Sequence, residues 1–328
     1  MAVQPVQGRV SNIGAFETTE GTAVTANKQL QGTAIIPDLE TEVIIGGPVF
    51  SDGDTYAIES KEWTAIDVPE TDLCPSDLNY ILECFAKGAA TVTADGTNGQ
   101  SRLYTESTSI KTLTSEFGDS NEADRAAGVF FNTLKINADR SKARMSATGM
   151  GRLMTVGGVT LAASPTLVQQ AMVQPPLFAV RIADSLSGLG SASDEPAIYE
   201  AGFSVDGRWG VHWPMNPANT SYAGRVPLKP NREASLSIAN DATGRALITT
   251  NLRTNVGKYF RITLPGPVIA GATPSQHKVI IEGFGFVKSA PKRKDFDNLI
   301  VLPVTLGLAK TSTLSYYQIT TITEQVTL

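Results

Sequence analysis

Histidine, cysteine and charge are scarce in this chain, and each scarcity narrows what it can do. Two histidines, His212 and His277, serve 328 residues. His212 lies between Val211 and Trp213 in a strand-like run, and His277 follows Pro274-Ser275-Gln276 in a stretch that reads as a loop. Neither has a neighbour at metal-ligand spacing. There is no His-Glu-x-x-His motif. The nearest approach to a nucleophile elbow, Gly202-Phe203-Ser204-Val205-Asp206, lacks the second glycine. No Gly-x-x-x-x-Gly-Lys-Ser/Thr loop exists, and Gly149-Met150-Gly151 and Gly188-Leu189-Gly190 lack the rest of a dinucleotide fingerprint. The chain is therefore not read as an enzyme, and no cofactor or metal is expected.

The two cysteines, Cys74 and Cys84, fall in or beside one helix-like segment and read as reduced, half-buried thiols. No stretch approaches the roughly 20 apolar residues that a membrane-crossing helix needs. Met1-Ala2-Val3-Gln4-Pro5 has neither the basic nor the apolar region of a secretory leader, so synthesis in a cytoplasm is expected, with no membrane partner.

What is present is apolar material in normal amount, 41%, beside only 18% charged residues, against the roughly 25% usual in globular proteins. Thr, Ser, Asn, Gly and Ala fill the difference, which is the composition of β-rich surfaces and turns. The net charge of −5 hides a division: residues 1–124 carry a net −14 and residues 125–328 a net +9. Either the halves neutralise each other within one fold, or the subunit has an acidic and a basic face that attract head to tail.

The chain divides into an extended, glycine-punctuated arm (1–55), a first β-rich module (56–163), a Pro- and Gly-interrupted linker (164–198) and a second β-rich module (199–328). In the first module Tyr56–Ile66 reads as a strand. Pro75–Ala86 reads as a helix, with Leu78, Ile81, Leu82 and Phe85 forming one stripe. Ser109–Phe117, Gly128–Ala138 and Lys142–Met150 read as strands. In the second, Tyr199–Pro214 reads as a hairpin turning at Asp206-Gly207. Ala234–Ala239 is a strand, Asp241–Asn255 a helix capped by Asp241, and Tyr259–Leu264 a strand with Phe260, Ile262 and Leu264 inward. Lys278–Val287 is a strand whose apolar phase slips at Gly283, suggesting a bulge. Leu299–Leu308 and Thr313–Thr323 follow. The fold class is mainly β with one or two short helices, and the repeated element order suggests two tandem related modules.

Other clusters point weakly. Asp52-Gly53-Asp54 reads as a turn, without the spacing of a calcium loop. No pair among Glu40, Glu42, Asp52 and Asp54 is singled out for acid–base work. Lys292-Arg293-Lys294 is the one compact basic run, and a polar loop explains it as well as nucleic acid would. Trp209 and Trp213 share parity, as a carbohydrate platform or as core.

Four segments carry a resemblance. Ser115–Gly151, SEFGDSNEADRAAGVFFNTLKINADRSKARMSATGMG, resembles the central hairpin of the tail tube proteins of long-tailed, non-contractile phages: acidic loop, a Gly-hydrophobic-hydrophobic-Asn-x-Leu strand, a turn, and a strand ending in small residues and glycine. Asn12–Ala23, NIGAFETTEGTA, is similar to that family's Glu-x-x-x-Gly-Thr segment. Asp77–Gly88 stands where the family carries its helix, and the stretch from His277 resembles its last three strands.

The resemblance implies a tail-tube-type β-sandwich or barrel and a structural virion protein of the tail, assembled in the host cytoplasm. Its copies would form stacked rings, trimeric with pseudo-sixfold symmetry or hexameric, around a channel for double-stranded DNA. Tape measure, tail terminator and distal tail proteins would be its partners. The charge division then places candidate inter-subunit contacts at Asp52, Asp54, Glu59 and Glu62 on one side and Lys292, Arg293 and Lys294 on the other. A virion-surface β-sandwich that binds carbohydrate or decorates the particle is the alternative.

Overall fold

A computed structural model describes residues 8–46, 56–88, 92–119, 121–195, 198–213, 221–288, 292–296 and 299–328. The fold is mainly β with two α-helices. In chain order come β1 (Val10–Phe16), β2 (Ala26–Leu30), β3 (Ile36–Gly46) and β4 (Tyr56–Asp72), then α1 (Pro75–Glu83). Next are β5 (Lys87–Gly88), β6 (Thr93–Asp95), β7 (Gly99–Thr105), β8 (Leu113–Gly118), β9 (Ala123–Asp139) and β10 (Ala143–Gly151). The middle contributes β11 (Thr166–Leu167) and β12 (Ala179–Ala183). The last part holds β13 (Ile198–Asp206), β14 (Trp209–His212), β15 (Gly224–Pro227), β16 (Asn231–Ala239) and α2 (Ala242–Thr254). It ends with β17 (Lys258–Ile269), β18 (Ser275–Val287), β19 (Lys294–Phe296), β20 (Leu299–Leu308) and β21 (Tyr317–Thr323).

The spine is an antiparallel ladder in the order β3-β4-β10-β9-β13-β16-β20. At β20 it continues into β18 through Gly285–Val287, and there it forks. β17 lines one side of β18 and carries β12, while β21 lines the other from Lys278 to Gly283 and carries β7. At the far end of β9 a second branch runs through β8, β1 and β2 to β11. The stretches 56–163 and 199–328 are thus joined by hydrogen bonds at β9–β13 and at β7–β21. One hydrophobic core spans both, from Val68 and Leu134 to Phe203, Ile238 and Ile319. The 1–55 stretch is packed in part: Ile13 and Ile35 are fully buried, and the part that stands clear is the β3–β4 ribbon.

Alternation builds these strands. In β17 Phe260, Ile262 and Leu264 are buried, each contributing about 1.5–3 kcal/mol by leaving water. Asp241 caps α2, accepting the Gly244 N–H at 2.7 Å, and Asn255 leaves the helix with φ +51°.

Four details differ from the sequence reading. All nine residues of α1 are buried, not one stripe. Its polar side is covered by distant chain: Asn79 accepts the Tyr104 hydroxyl at 3.1 Å and the Thr321 hydroxyl at 2.5 Å. Asp206-Gly207 is not a hairpin turn. β13 pairs with β9 and β16, while β14 leaves to pair with β15, drawn off because Asn132 accepts both the Arg208 and Trp209 N–H groups. The β17–β18 ladder runs unbroken past Gly283, so there is no bulge there; Phe284 and Phe286 lie on the opposite face, against Tyr259 and each other. Gly283 is needed because a Cβ would lie 2.6 Å from the Phe260 ring. His277 lies in a strand and is buried, not in a loop.

Candidate assembly surfaces

No group of three His, Cys, Asp or Glu side chains placed to hold a metal occurs among the described residues. His277 is buried, which pushes its imidazole below the usual range, and His212 is exposed on β14. Cys74 and Cys84 flank α1 as buried free thiols, and burial raises both. Raised, buried thiols are poor nucleophiles. Among the described residues no helix is long and apolar enough to cross a membrane.

The ladder offers a different kind of surface. One face is core: Met145 and Ala147 of β10, Leu134 and Ile136 of β9, Phe203 and Val205 of β13, and Leu236 and Ile238 of β16 are all buried. The other face carries polar and small side chains in register. Arg144, Asn137, Gly202, Ser235 and Thr305 form one cross-strand row. Ser146, Lys135, Ser204, Glu233 and Gly307 form the next. Lys135, Asn137, Thr148 and Ser235 are exposed, which makes this the solvent face. Its acids, Asp67, Glu70, Asp72, Asp139, Glu200, Asp206 and Glu233, outnumber Arg144, Lys135 and Lys288. Glu233 is held below the usual carboxylate range by the Lys288 ammonium at 2.5 Å.

Two of the segments behind the resemblance, Asn12–Ala23 and Ser115–Gly151, meet at one clamp. Glu17 Oε2 accepts the Gly21 N–H at 2.9 Å and the Thr112 hydroxyl at 2.8 Å. Its Oε1 accepts the Gly128 N–H at 2.8 Å and the Thr114 hydroxyl at 2.9 Å. Glu17 and Gly21 are the glutamate and glycine of the Glu-x-x-x-Gly-Thr segment, and Gly128 is the first residue of the GVFFNTL run. Asn132 of that strand sets the exit of β13, as described above.

Trp209 and Trp213 do not form a shared platform. Trp209 is 4% exposed and packs with Phe130 and Tyr222. Trp213 stands edge-on to Trp63 at 6.0 Å, with the Lys61 ammonium 5.3 Å from its ring centre.

The sheet ends matter most for the predicted contacts. Asp52 and Asp54 lie outside the described residues. Glu59 and Glu62 are on β4, opposite Val43 and Thr41 of β3. Asp38, Glu40 and Glu42 line β3 and are exposed; Lys61 pairs with Glu42 at 2.6 Å and lowers its carboxyl. Lys292, Arg293 and Lys294 are exposed and make no ion pair with another described residue. They stand beside or within the β19–β20 hairpin. Among the described residues, the structure does not bring Glu59 and Glu62 together with Lys292, Arg293 and Lys294 within one chain. They sit at opposite ends of the ladder, because β3 is its first strand and β19 borders its last. The sequence reading does not assign to these contacts the aliphatic residues that accompany them: Val43, Ile44 and Ile45 on the acidic ribbon and Leu299 and Ile300 on the basic hairpin are all exposed. Leu299 and Ile300 read as part of a strand and Val43–Ile45 as part of the extended arm, and nothing local shows that these aliphatics meet water.

No protein-family model matches this chain, and no curated protein matches it.

Proposed function

We propose that this chain is the tail tube subunit of a long-tailed bacteriophage, a structural virion protein whose copies form stacked rings around a DNA channel. The observation that carries the reading is the open ladder. It has a buried apolar face, an acidic face of small polar side chains, and strands at its borders, β3 and β12, that each pair on one side only among the described residues. Unpaired borders favour addition of another strand, and closure into a ring removes them. The polar face would then line the channel, where carboxylates repel passing phosphates and short side chains offer little to grip. Rings would be trimers with pseudo-sixfold symmetry or hexamers, and tape measure, terminator and distal tail proteins would bind at the tube's ends and lumen.

Negative-stain microscopy of the purified full chain, with mass measurement of any ring, tests this. Hollow rings or tubes are expected. A strictly monomeric particle at high concentration in every buffer would overturn the proposal, and monomers that bind glycans would favour a surface decoration role.

A further inference from the structure

The β3–β4 ribbon and the β19–β20 hairpin point to opposite ends of the strands. The ribbon runs on past Gly151, whose β4 partner is Thr64, up to the pairing of Gly46 with Tyr56. The hairpin lies past the other end, where Val301 pairs with Ala239, and it closes with Phe296 against Leu299. Each carries an exposed aliphatic patch. Ile44 and Ile45 are 52% and 62% exposed, and Leu299 and Ile300 are 47% and 56% exposed. Each patch is bordered by charge of one dominant sign: Asp38, Glu40 and Glu42 on the ribbon, Lys292, Arg293 and Lys294 at the hairpin, with Asp295 the only described acid among them. Side chains of this kind in water are costly on a lone subunit and are the usual mark of a partner surface.

We infer that the acidic β3–β4 ribbon of one copy docks on the basic β19–β20 hairpin of the next, with Val43, Ile44 and Ile45 packing against Leu299 and Ile300. The contact is heterologous. Two different patches at opposite ends of the strands meet, so the same surfaces stay free at each end of the growing chain, and repetition stacks copies along the strand direction. Aliphatic burial holds the contact, and the opposite charges select head-to-tail over head-to-head approach. This inference rests on the tube reading for the repeat, but the contact itself needs only two copies.

The test uses two full-length variants, Ile44→Cys and Ile300→Cys; the native Cys74 and Cys84 are buried. Mixed under mild oxidation, the two should give a disulfide-linked dimer in at least about tenfold excess over Ile44→Cys mixed with Leu177→Cys, which places the thiol at an exposed site off both elements. Reversing the hairpin (Lys292→Glu, Arg293→Glu, Lys294→Glu) should abolish the cross-link. Combining it with a reversed ribbon (Asp38→Lys, Glu40→Lys, Glu42→Lys) should restore it. Equal cross-linking in the control mixture, or indifference to charge reversal, overturns the inference. Tubes without the cross-link would leave the tube reading standing and sink this contact; the cross-link without tubes would do the reverse.

Discussion

The Gly128 amide donates to the Glu17 carboxylate at 2.8 Å, and this bond ties the first strand region to β9, one of the two longest strands of the ladder. Gly128 holds φ +67°, a conformation other residues adopt at a cost of about 1–2 kcal/mol. Glu17 also serves Gly21, Thr112 and Thr114. Glu17→Ala should destabilise the chain by about 3 kcal/mol, since four donors lose one charged acceptor and stay largely buried. Glu17→Gln should cost less, about 1–2 kcal/mol, because one acceptor oxygen survives. Gly128→Ala should cost at least about 1–2 kcal/mol through backbone strain, and more because its Cβ would lie 3.3 Å from the Gly21 backbone and the Arg152 side chain. Urea denaturation of the three variants checks the order, and an unaffected midpoint in Glu17→Ala would contradict the clamp.

Arg208 makes a second long-range tie. It is 3% exposed, donates to the Tyr317 hydroxyl at 3.0 Å and to the Ser107 carbonyl, and lies over the Phe85 and Trp209 rings at 5.0 and 5.2 Å. Arg208→Ala should destabilise by about 3–5 kcal/mol, because it removes ring contacts and strands polar partners. Arg208→Lys should recover little, since one ammonium cannot stack and bridge both acceptors. Thermal unfolding of the two variants beside the wild type reads the difference.

These two ties show where the sequence is legible. Periodicity exposes the helix at Leu78, Ile81, Leu82 and Phe85 and the inward set Phe260, Ile262 and Leu264, because each pattern lies within one element. The cap at Asp241 is legible for the same reason. Arg208 meets partners 101 and 109 residues away, and no local pattern announces them. The full burial of α1 is hidden likewise, because Thr321 and Gln325 reach it from the far end of the chain. Gly283 misleads for a subtler reason: Phe284 and Phe286 are apolar on the outer face, so hydrophobicity shifts phase while the ladder does not. Of the candidate contacts, the charges were visible as runs of acid and base. Their separation to opposite ends of the sheet depends on strand order, which single-strand patterns do not contain.

Asp77 makes stability depend on pH. It is 1% exposed, and one carboxylate oxygen accepts the Gly32 N–H at 3.2 Å. Burial pushes its pKa up to about 6, against about 4 for a solvated carboxyl. The folded state therefore binds the proton more tightly than the unfolded state. Its contribution to stability is complete below about pH 4 and is lost as pH rises through about 6, an effect on the order of 2–3 kcal/mol. Asp77→Asn should flatten the stability curve across that window. Denaturation midpoints between pH 4 and 7 check this, and an unchanged slope in Asp77→Asn would remove Asp77 as the source.

The acidic face of the ladder makes a prediction about DNA that assembly alone does not. Asn137 and Ser235 are exposed there and Ser204 is half-buried, all three pointing away from the core. Substituting Asn137→Lys, Ser204→Lys and Ser235→Lys leaves the buried face untouched, so folding should change by less than about 1 kcal/mol. If this face lines a channel, every subunit now presents three added cations to a passing phosphate backbone. Tubes of the variant should retain duplex DNA in low salt at least about tenfold better than wild type, and the gain should vanish steeply as salt rises. Retention of short labelled duplexes by purified tubes, measured across a salt series, decides the matter. Variant tubes that assemble normally and still ignore DNA would mean that this face does not meet the channel, and the opposite wall of the subunit would have to be sought.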